Sequence, residues 1–381
     1  MKKKILFTSL ALALLLSACG SGEISADTSP DGDTRQAVFA DGSEETEEGN
    51  DSLDDISGQS AVTPTDIANR LQEYQRFAVS GPSTVYIQDD GSITYSAAAF
   101  WAGRMAETFA EKGLTPIMVT SADETFEKVV FLCDDGQVYY SHKDGSCFPG
   151  EKITYIDADF YSRRTNDILH IYGVTDEGRV LYSNGSETVY TLEGVSGVKY
   201  VKSLANNVIL LVYQNGTAGF ATIEADSTPY SLFSDVLSTC DISGWTDIVW
   251  ADIGYYTADD TDHLYAIGLQ SDGSVVTAGD CPSEISEWEN MVFAEAGRGF
   301  VYGLRADGTP VMLTVDPESS SDFSMYDGWQ DLHLFRFGDG DATMGSAIGN
   351  GGTYYGKACW ITDGVTKDGE HFEPEFSSWK E

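Results

Sequence analysis

The sequence predicts an all-β fold built from repeated antiparallel hairpins, and three observations predict it. A motif of apolar run, polar residue, glycine and second apolar run recurs seven times. Its glycines recur about every 46 residues. The composition is rich in strand and turn formers, with 20 Tyr, 18 Phe and 39 Gly against only 22 Lys plus Arg in 381 residues. Aromatic residues fit pleated, half-buried strands, and glycine supplies turns.

The copies of the motif justify the first observation. They are VYIQDDGSITYS at 85–96, VVFLCDDGQVYYS at 129–141, HIYGVTDEGRVLYS at 170–183, VILLVYQNGTAGFAT at 208–222, YAIGLQSDGSVVTAG at 265–279, VYGLRADGTPVMLT at 301–314 and, most weakly, ITDGVTKDGEHF at 361–372. Asp-Gly and Asn-Gly supply the positive φ of tight hairpin turns, so two-residue turns are expected. The turn glycines run from Gly91 to Gly369, 278 residues over six intervals, and residues 61–381 divided by seven give the same period. That period fits four-stranded propeller blades, which recur every 40 to 50 residues or so. Ring closure also removes the exposed edges an open array would keep. The expectation is therefore a seven-bladed β-propeller over 61–381.

A second marker precedes the later hairpins. Trp245, Trp288 and Trp329 open WTDIV, WENMV and WQDL at spacings of 43 and 41 residues. A tryptophan at a repeated position is expected to pack between blades. The pattern Trp-x-x-Ile/Val followed by Gly-Leu-x-x-Asp-Gly-x-Val resembles the regulator-of-chromosome-condensation repeat, best in 245–315 and loosely elsewhere. The resemblance implies a seven-bladed propeller. The family includes nucleotide-exchange factors and a secreted inhibitor of β-lactamases, but the exchange factors' glycine-rich and histidine-bearing loops are absent here. Only the scaffold carries over. Two helical stretches are expected outside the hairpins: Pro64 to Arg76, and Ala98 to Lys112 ended by Gly113.

The first sixty residues have a different character. Lys2, Lys3 and Lys4 precede an apolar stretch of 12 residues, Ile5 to Leu16, which suits a secretion signal and is too short to span a bilayer. Leu16-Ser17-Ala18-Cys19 resembles the lipobox of bacterial lipoproteins. It implies cleavage after Ala18 and lipidation of Cys19, with two acyl chains giving stable anchoring to a membrane on its extracytoplasmic side. Residues 19–60 read as a disordered tether: 20–60 hold 12 acidic residues and one basic one, Arg35.

The net charge is −39, or −42 without the three leader lysines. This argues against nucleic acid as a partner, since phosphate contacts need clustered Lys and Arg. Besides Cys19 there are Cys133, Cys147, Cys240, Cys281 and Cys359. Cys133 with Cys147, or Cys240 with Cys281, could pair, but mostly free buried thiols are expected. No spacing suggests zinc.

Enzyme motifs are missing: no Gly-x-Ser-x-Gly elbow, His-Glu-x-x-His, phosphate loop or dinucleotide fingerprint. No catalytic residue, cofactor or metal is expected. The acids at Asp259-Asp260-x-Asp262 and Asp339-Gly340-Asp341 match no EF-hand loop. Loops at the same place in successive blades emerge on one face. Three insertions there carry aromatics or arginine: Phe160-Tyr161 with Arg163 and Arg164, Tyr255-Tyr256, and Gly338 to Tyr355 ending in Tyr354-Tyr355. Such residues suit a surface that recognises protein or glycan. The expected function is a monomeric, lipid-anchored recognition scaffold for a protein, peptide or wall polymer. The alternative is a polysaccharide-active hydrolase or lyase using a carboxyl pair about 6.5–9.5 Å apart near the centre. A two-lobed solute-binding fold is disfavoured by the repeated hairpins.

Overall fold

The computed structural model describes residues 61–80, 83–95, 99–122, 127–162, 167–186, 188–204, 208–223, 237–259, 261–317, 323, 332–337, 345–349, 364–365 and 371–372. The chain divides into two units, Met1–Gly58 and Gln59–Glu381, and every described residue falls in the second.

The second unit is mostly antiparallel β-sheet in up-and-down order. The first two sheets are β1 (Phe77–Ser80), β2 (Ser83–Ile87), β3 (Ile93–Tyr95) and β4 (Pro116–Ser121), β5 (Val129–Cys133), β6 (Val138–Tyr140). Next come β7 (Ile153–Ser162), β8 (Asp167–Thr175), β9 (Val180–Ser183), β10 (Val189–Thr191) and then β11 (Val198–Leu204), β12 (Val208–Tyr213), β13 (Ala218–Thr222). They are followed by β14 (Ile248–Ala258), β15 (Thr261–Gln270), β16 (Val275–Gly279) and β17 (Met291–Ala296), β18 (Phe300–Arg305), β19 (Pro310–Thr314). Two shorter pairs end the order: β20 (Leu332–Phe337) with β21 (Gly345–Gly349), and β22 (Gly364–Val365) with β23 (His371–Phe372). Among the described residues only β7–β10 reaches four strands; five sheets have three and two have two. The opening strands β1, β4, β7, β11, β14 and β17 lie side by side in that order, and β20 lies against both β18 and β1.

Each turn repeats one geometry. In β5–β6, Cys133 N–H donates to the Gln137 carbonyl (3.0 Å) and Gly136 N–H to the Cys133 carbonyl (2.9 Å). This is a three-residue loop in which only the glycine is left-handed (φ 78°), and not the expected two-residue turn. The residue before the glycine explains the preference. Asp90, Asp135, Asn215, Asp272 and Asp307 each accept the N–H two residues on at 2.8–3.1 Å, which favours a right-handed turn there and leaves one positive φ for Gly.

The same glycines join sheet to sheet. The carbonyls of Gly136, Gly178, Gly216, Gly273 and Gly308 accept the N–H groups of Ile153, Val198, Ile248, Met291 and Leu332 at 2.9–3.0 Å, each the first residue of the next sheet. Five successive links of one kind relate each sheet to its neighbour by the same operation. A β-bulge follows each, and β4 carries a sixth: register slips by one residue after Ile153, Val198, Ile248, Met291 and Leu332, and after Pro116.

The core lies between sheets. One large cluster spans most of them; a second, including Val208, Leu210, Trp245, Ile253 and Leu264, joins β11–β13 to β14–β16. Trp245 is buried there over Gly268, where a Cβ would meet its ring at 2.8 Å, in keeping with a packing role between sheets. A third cluster holds α2 (Phe100–Lys112) between the first two sheets, with Ala102, Met105 and Phe109 inward and Gly113 closing the helix at φ 66°. Burying such a side chain contributes about 1.5–3 kcal/mol. The helix α1 (Pro64–Tyr74) starts with a capping box between Thr63 and Asp66 and buries Ile67, Leu71 and Tyr74, one stripe at helical spacing.

Candidate functional site

Two first hairpins outrun their third strands. The β14–β15 ladder runs to Ala258 opposite Thr261, whereas β16 reaches only Gly279 opposite Tyr265. The β7–β8 ladder runs to Ser162 opposite Asp167, whereas β9 stops at Ser183 opposite Ile171. Both projecting tips join a first strand to a second, so they emerge at the same end of their sheets.

At the β14–β15 tip the side chains form an ordered set. Tyr265 donates its hydroxyl to the carbonyls of Gly297 (2.5 Å) and Phe300 (3.0 Å) and accepts the Gly299 N–H (3.0 Å). This pins the β17–β18 turn, and Gly299 N–H also donates to the Tyr255 carbonyl (3.1 Å). The pinned turn holds the Arg298 guanidinium 5.6 Å from the centre of the Tyr255 ring, a cation–π contact at the exposed rim. On the other side of the strand, Tyr256 stacks on His263 (4.7 Å, 5°), and His263 Nδ1 meets Asp280 at 2.7 Å. Burial, then Asp280 and Asp316, push the Tyr256 hydroxyl above its ordinary pKa. Thr257 donates to Asp262 (2.7 Å) across the tip.

Tyr255 and Tyr256 thus lie within β14 and not in a loop. As consecutive strand residues they point to opposite faces. Tyr256 is buried, and Tyr255 is half-buried, packed against the second core cluster with part of its ring at the surface. Phe160 and Tyr161 are also strand positions, opposite Leu169 and Ile168 in β7–β8. Arg163, Arg164, Tyr354, Tyr355, Cys19 and the Asp339-Gly340-Asp341 cluster lie outside the described residues. Among the described residues no group of His, Cys, Asp and Glu could hold a metal ion, and Cys133, Cys147, Cys240 and Cys281 are free thiols that burial pushes up to about 12.

The opening strands carry a buried charged tier that sequence reading missed. The fourth residue after each sheet-opening residue is Thr120, Asp157, Lys202, Asp252, Glu295 or Arg336. Thr120 apart, these residues staple opening strands to their neighbours. Asp157 accepts the N–H and hydroxyl of Ser203 (2.6 and 2.7 Å), and Asp252 accepts the equivalent N–H of Ala296 one sheet on (3.1 Å). Glu295 is held by Arg336 (2.6 and 3.1 Å), Lys202 (3.3 Å) and the Tyr302 hydroxyl. Burial opposes ionisation of Glu295, but Arg336 and Lys202 outweigh it and hold the carboxyl at about 2. Burial opposes charge on Lys202 too, and Asp252, Asp157 and Glu295 keep it protonated. Asp252, desolvated beside Glu295, is pushed up to about 7. The described central carboxylates of this tier are thus engaged in structural bonds. Their sequence signal was spacing: Asp252, Glu295 and Arg336 each lie seven residues after Trp245, Trp288 and Trp329.

No family model matches the chain, and no curated protein matches it. Among solved structures it is similar to Prp20p of Saccharomyces cerevisiae, studied for binding to Gsp1p and histones, at 11% identity over 69% of this chain and 80% of that one (TM-score 0.42). It is also similar to the computationally designed protein Ika8 (13%, 69% and 77%, TM-score 0.39) and to human WBSCR16 (11%, 67% and 80%, TM-score 0.38).

Proposed function

We propose that this chain is a lipid-anchored recognition scaffold: a seven-bladed β-propeller over 61–381, held by an acidic tether of 19–60 to a membrane through lipidated Cys19 on its extracytoplasmic side, with 1–18 removed as a signal peptide. The ring reading is supported by the five identical glycine-to-sheet links and by the contact of β20 with β1. The anchor reading is supported by the leader and Leu16-Ser17-Ala18-Cys19 alone.

The observation that carries the binding role is the pinned Tyr255–Arg298 pair on a projecting hairpin end. An aromatic ring and a guanidinium held in fixed geometry lose little entropy on binding, which is what interface anchors need. The partner is a protein, peptide or polymer with acidic and apolar groups, because Arg298 offers charge and Tyr255 offers ring area. The test is capture from envelope extract with the wild-type chain against Tyr255→Ala with Arg298→Glu. A specific partner retained only by wild type supports the reading; identical profiles overturn it. For the anchor, Cys19→Ala moves the chain from the membrane to the soluble fraction; unchanged membrane retention refutes lipidation at Cys19.

A further inference from the structure

The register bulges do more than fit strands together. A bulge ejects its extra residue from the ladder and re-aims its side chain. Here the ejected residues are Ile117, Thr154, Lys199, Val249, Val292 and His333, one at the start of each opening strand. Counting by the same register from the turn glycine, Gln75 is the corresponding residue before β1. Repetition therefore gathers seven side chains at one end of the opening strands, opposite the projecting hairpins.

Helix α1 covers part of this end. It packs on β17 and β20, with Arg70 donating to the His333 carbonyl and Glu73 meeting the His333 ring. The remainder is a cleft of about 330 Å³ beside the helix, within the size range of small-molecule sites. Ile117, Thr154, Lys199 and Val249 line it from the sheets, and Leu71, Gln72 and the capping Gln75 from α1.

The chemistry of the lining is unusual for this chain. The protein carries 61 Asp plus Glu, yet among the described residues none lines the cleft. Its sole charged residue is Lys199, which makes no ion pair among the described residues; its ammonium sits 4.8 Å from the Tyr200 ring centre, which also lines the cleft. Ile117 at the rim is 45% exposed, an apolar surface with nothing over it among the described residues. We propose that this cleft binds a small amphiphile with one anionic group, its head at Lys199 and its apolar body along Leu71, Met118 and Ile117. Gln72, Gln75 and Thr154 supply neutral hydrogen-bonding groups near the head. An anionic ligand is favoured over a cationic one because the described lining has a cation and no carboxylate.

Titration calorimetry of the full chain with decanoate below its micelle concentration tests this, with decyltrimethylammonium as the cationic counterpart. Expected is saturable one-to-one binding of decanoate, weakened about tenfold or more by Lys199→Glu, the loss of a charge-assisted contact. Thr154→Trp fills the cleft and abolishes binding, while Tyr255→Ala at the opposite end leaves it unchanged. Circular dichroism confirms that each variant is folded, and Lys199 and Thr154 are exposed. Absence of saturable decanoate binding, equal binding of the cationic probe, or decanoate affinity indifferent to Lys199→Glu and Thr154→Trp overturns the proposal. None of these outcomes bears on the Tyr255–Arg298 surface.

Discussion

Arg336 in β20 donates through Nη1 to the carbonyl of Phe77 in β1, at 2.7 Å. The bond joins strands 259 residues apart in sequence and spans the junction between the last opening strand and the first. The same guanidinium holds Glu295 in the preceding sheet, so one side chain ties three opening strands together.

Removing that tie should be costly. Arg336→Met leaves Glu295 buried with one cation lost, and a broken buried pair costs about 3–5 kcal/mol. Arg336→Met with Glu295→Leu should recover much of it, since a well-packed apolar pair replaces the ions. A double-mutant cycle by urea unfolding measures the coupling; additive losses would show that the two residues do not act as a unit.

Tyr74 closes the same junction from α1. Its hydroxyl donates to the Phe335 carbonyl and accepts the Phe335 N–H, both at 2.9 Å, while its ring stacks on Phe293. Tyr74→Phe keeps the stack and removes both hydroxyl bonds to the Phe335 backbone, with an expected loss of about 1–3 kcal/mol. Tyr74→Ala should cost about 3–5 kcal/mol through the added cavity. Thermal or urea unfolding of the pair separates ring from hydroxyl.

The sheet-to-sheet links rest on turn glycines. Gly178 has φ 75°, and a Cβ there would lie 2.8 Å from backbone atoms of Gly197 and Val198 at the start of the next sheet. Gly113 has φ 66° with open space around it. Gly113→Ala should therefore cost only the left-handed strain, about 1 kcal/mol, and Gly178→Ala more than twice that. Equal losses in chemical denaturation would mean that the turn does not press on its neighbour.

Asp159 and His170 oppose each other across β7 and β8, and their titrations pull stability in opposite directions. Burial and then Asp157 push Asp159 up to about 7, so the folded chain keeps a proton the unfolded chain releases, and stability falls as pH rises from about 4 to 7. Burial lowers His170 to about 4, so stability is full above its ordinary 6.5 and is lost as pH falls through that window towards 4. Relative to wild type, Asp159→Asn should gain stability as pH rises from 4 to 6.5 and His170→Leu should lose it, each by about 1–3 kcal/mol. Melting temperature against pH distinguishes them; parallel curves would refute the assignment.

Local chemistry wrote much of this protein into its sequence. Asp-Gly and Asn-Gly between apolar runs specified hairpins, because those residues satisfy a turn with their own side chains, and the 46-residue period set their number. The expectation of a lipidated leader rests on charge, length and Cys19 in the sequence alone. Tertiary structure alone decided the rest. It placed Tyr255 and Tyr256 inside a strand, so that alternation buried one and left the other at the rim, whereas the sequence read both as loop residues. It gathered Asp157, Lys202, Asp252, Glu295 and Arg336, whose charges look solvated one strand at a time and become a single buried network only when the strands stand together. It also turned a one-residue slip in each ladder into a lined cleft, because register is a relation between strands and no single strand carries it.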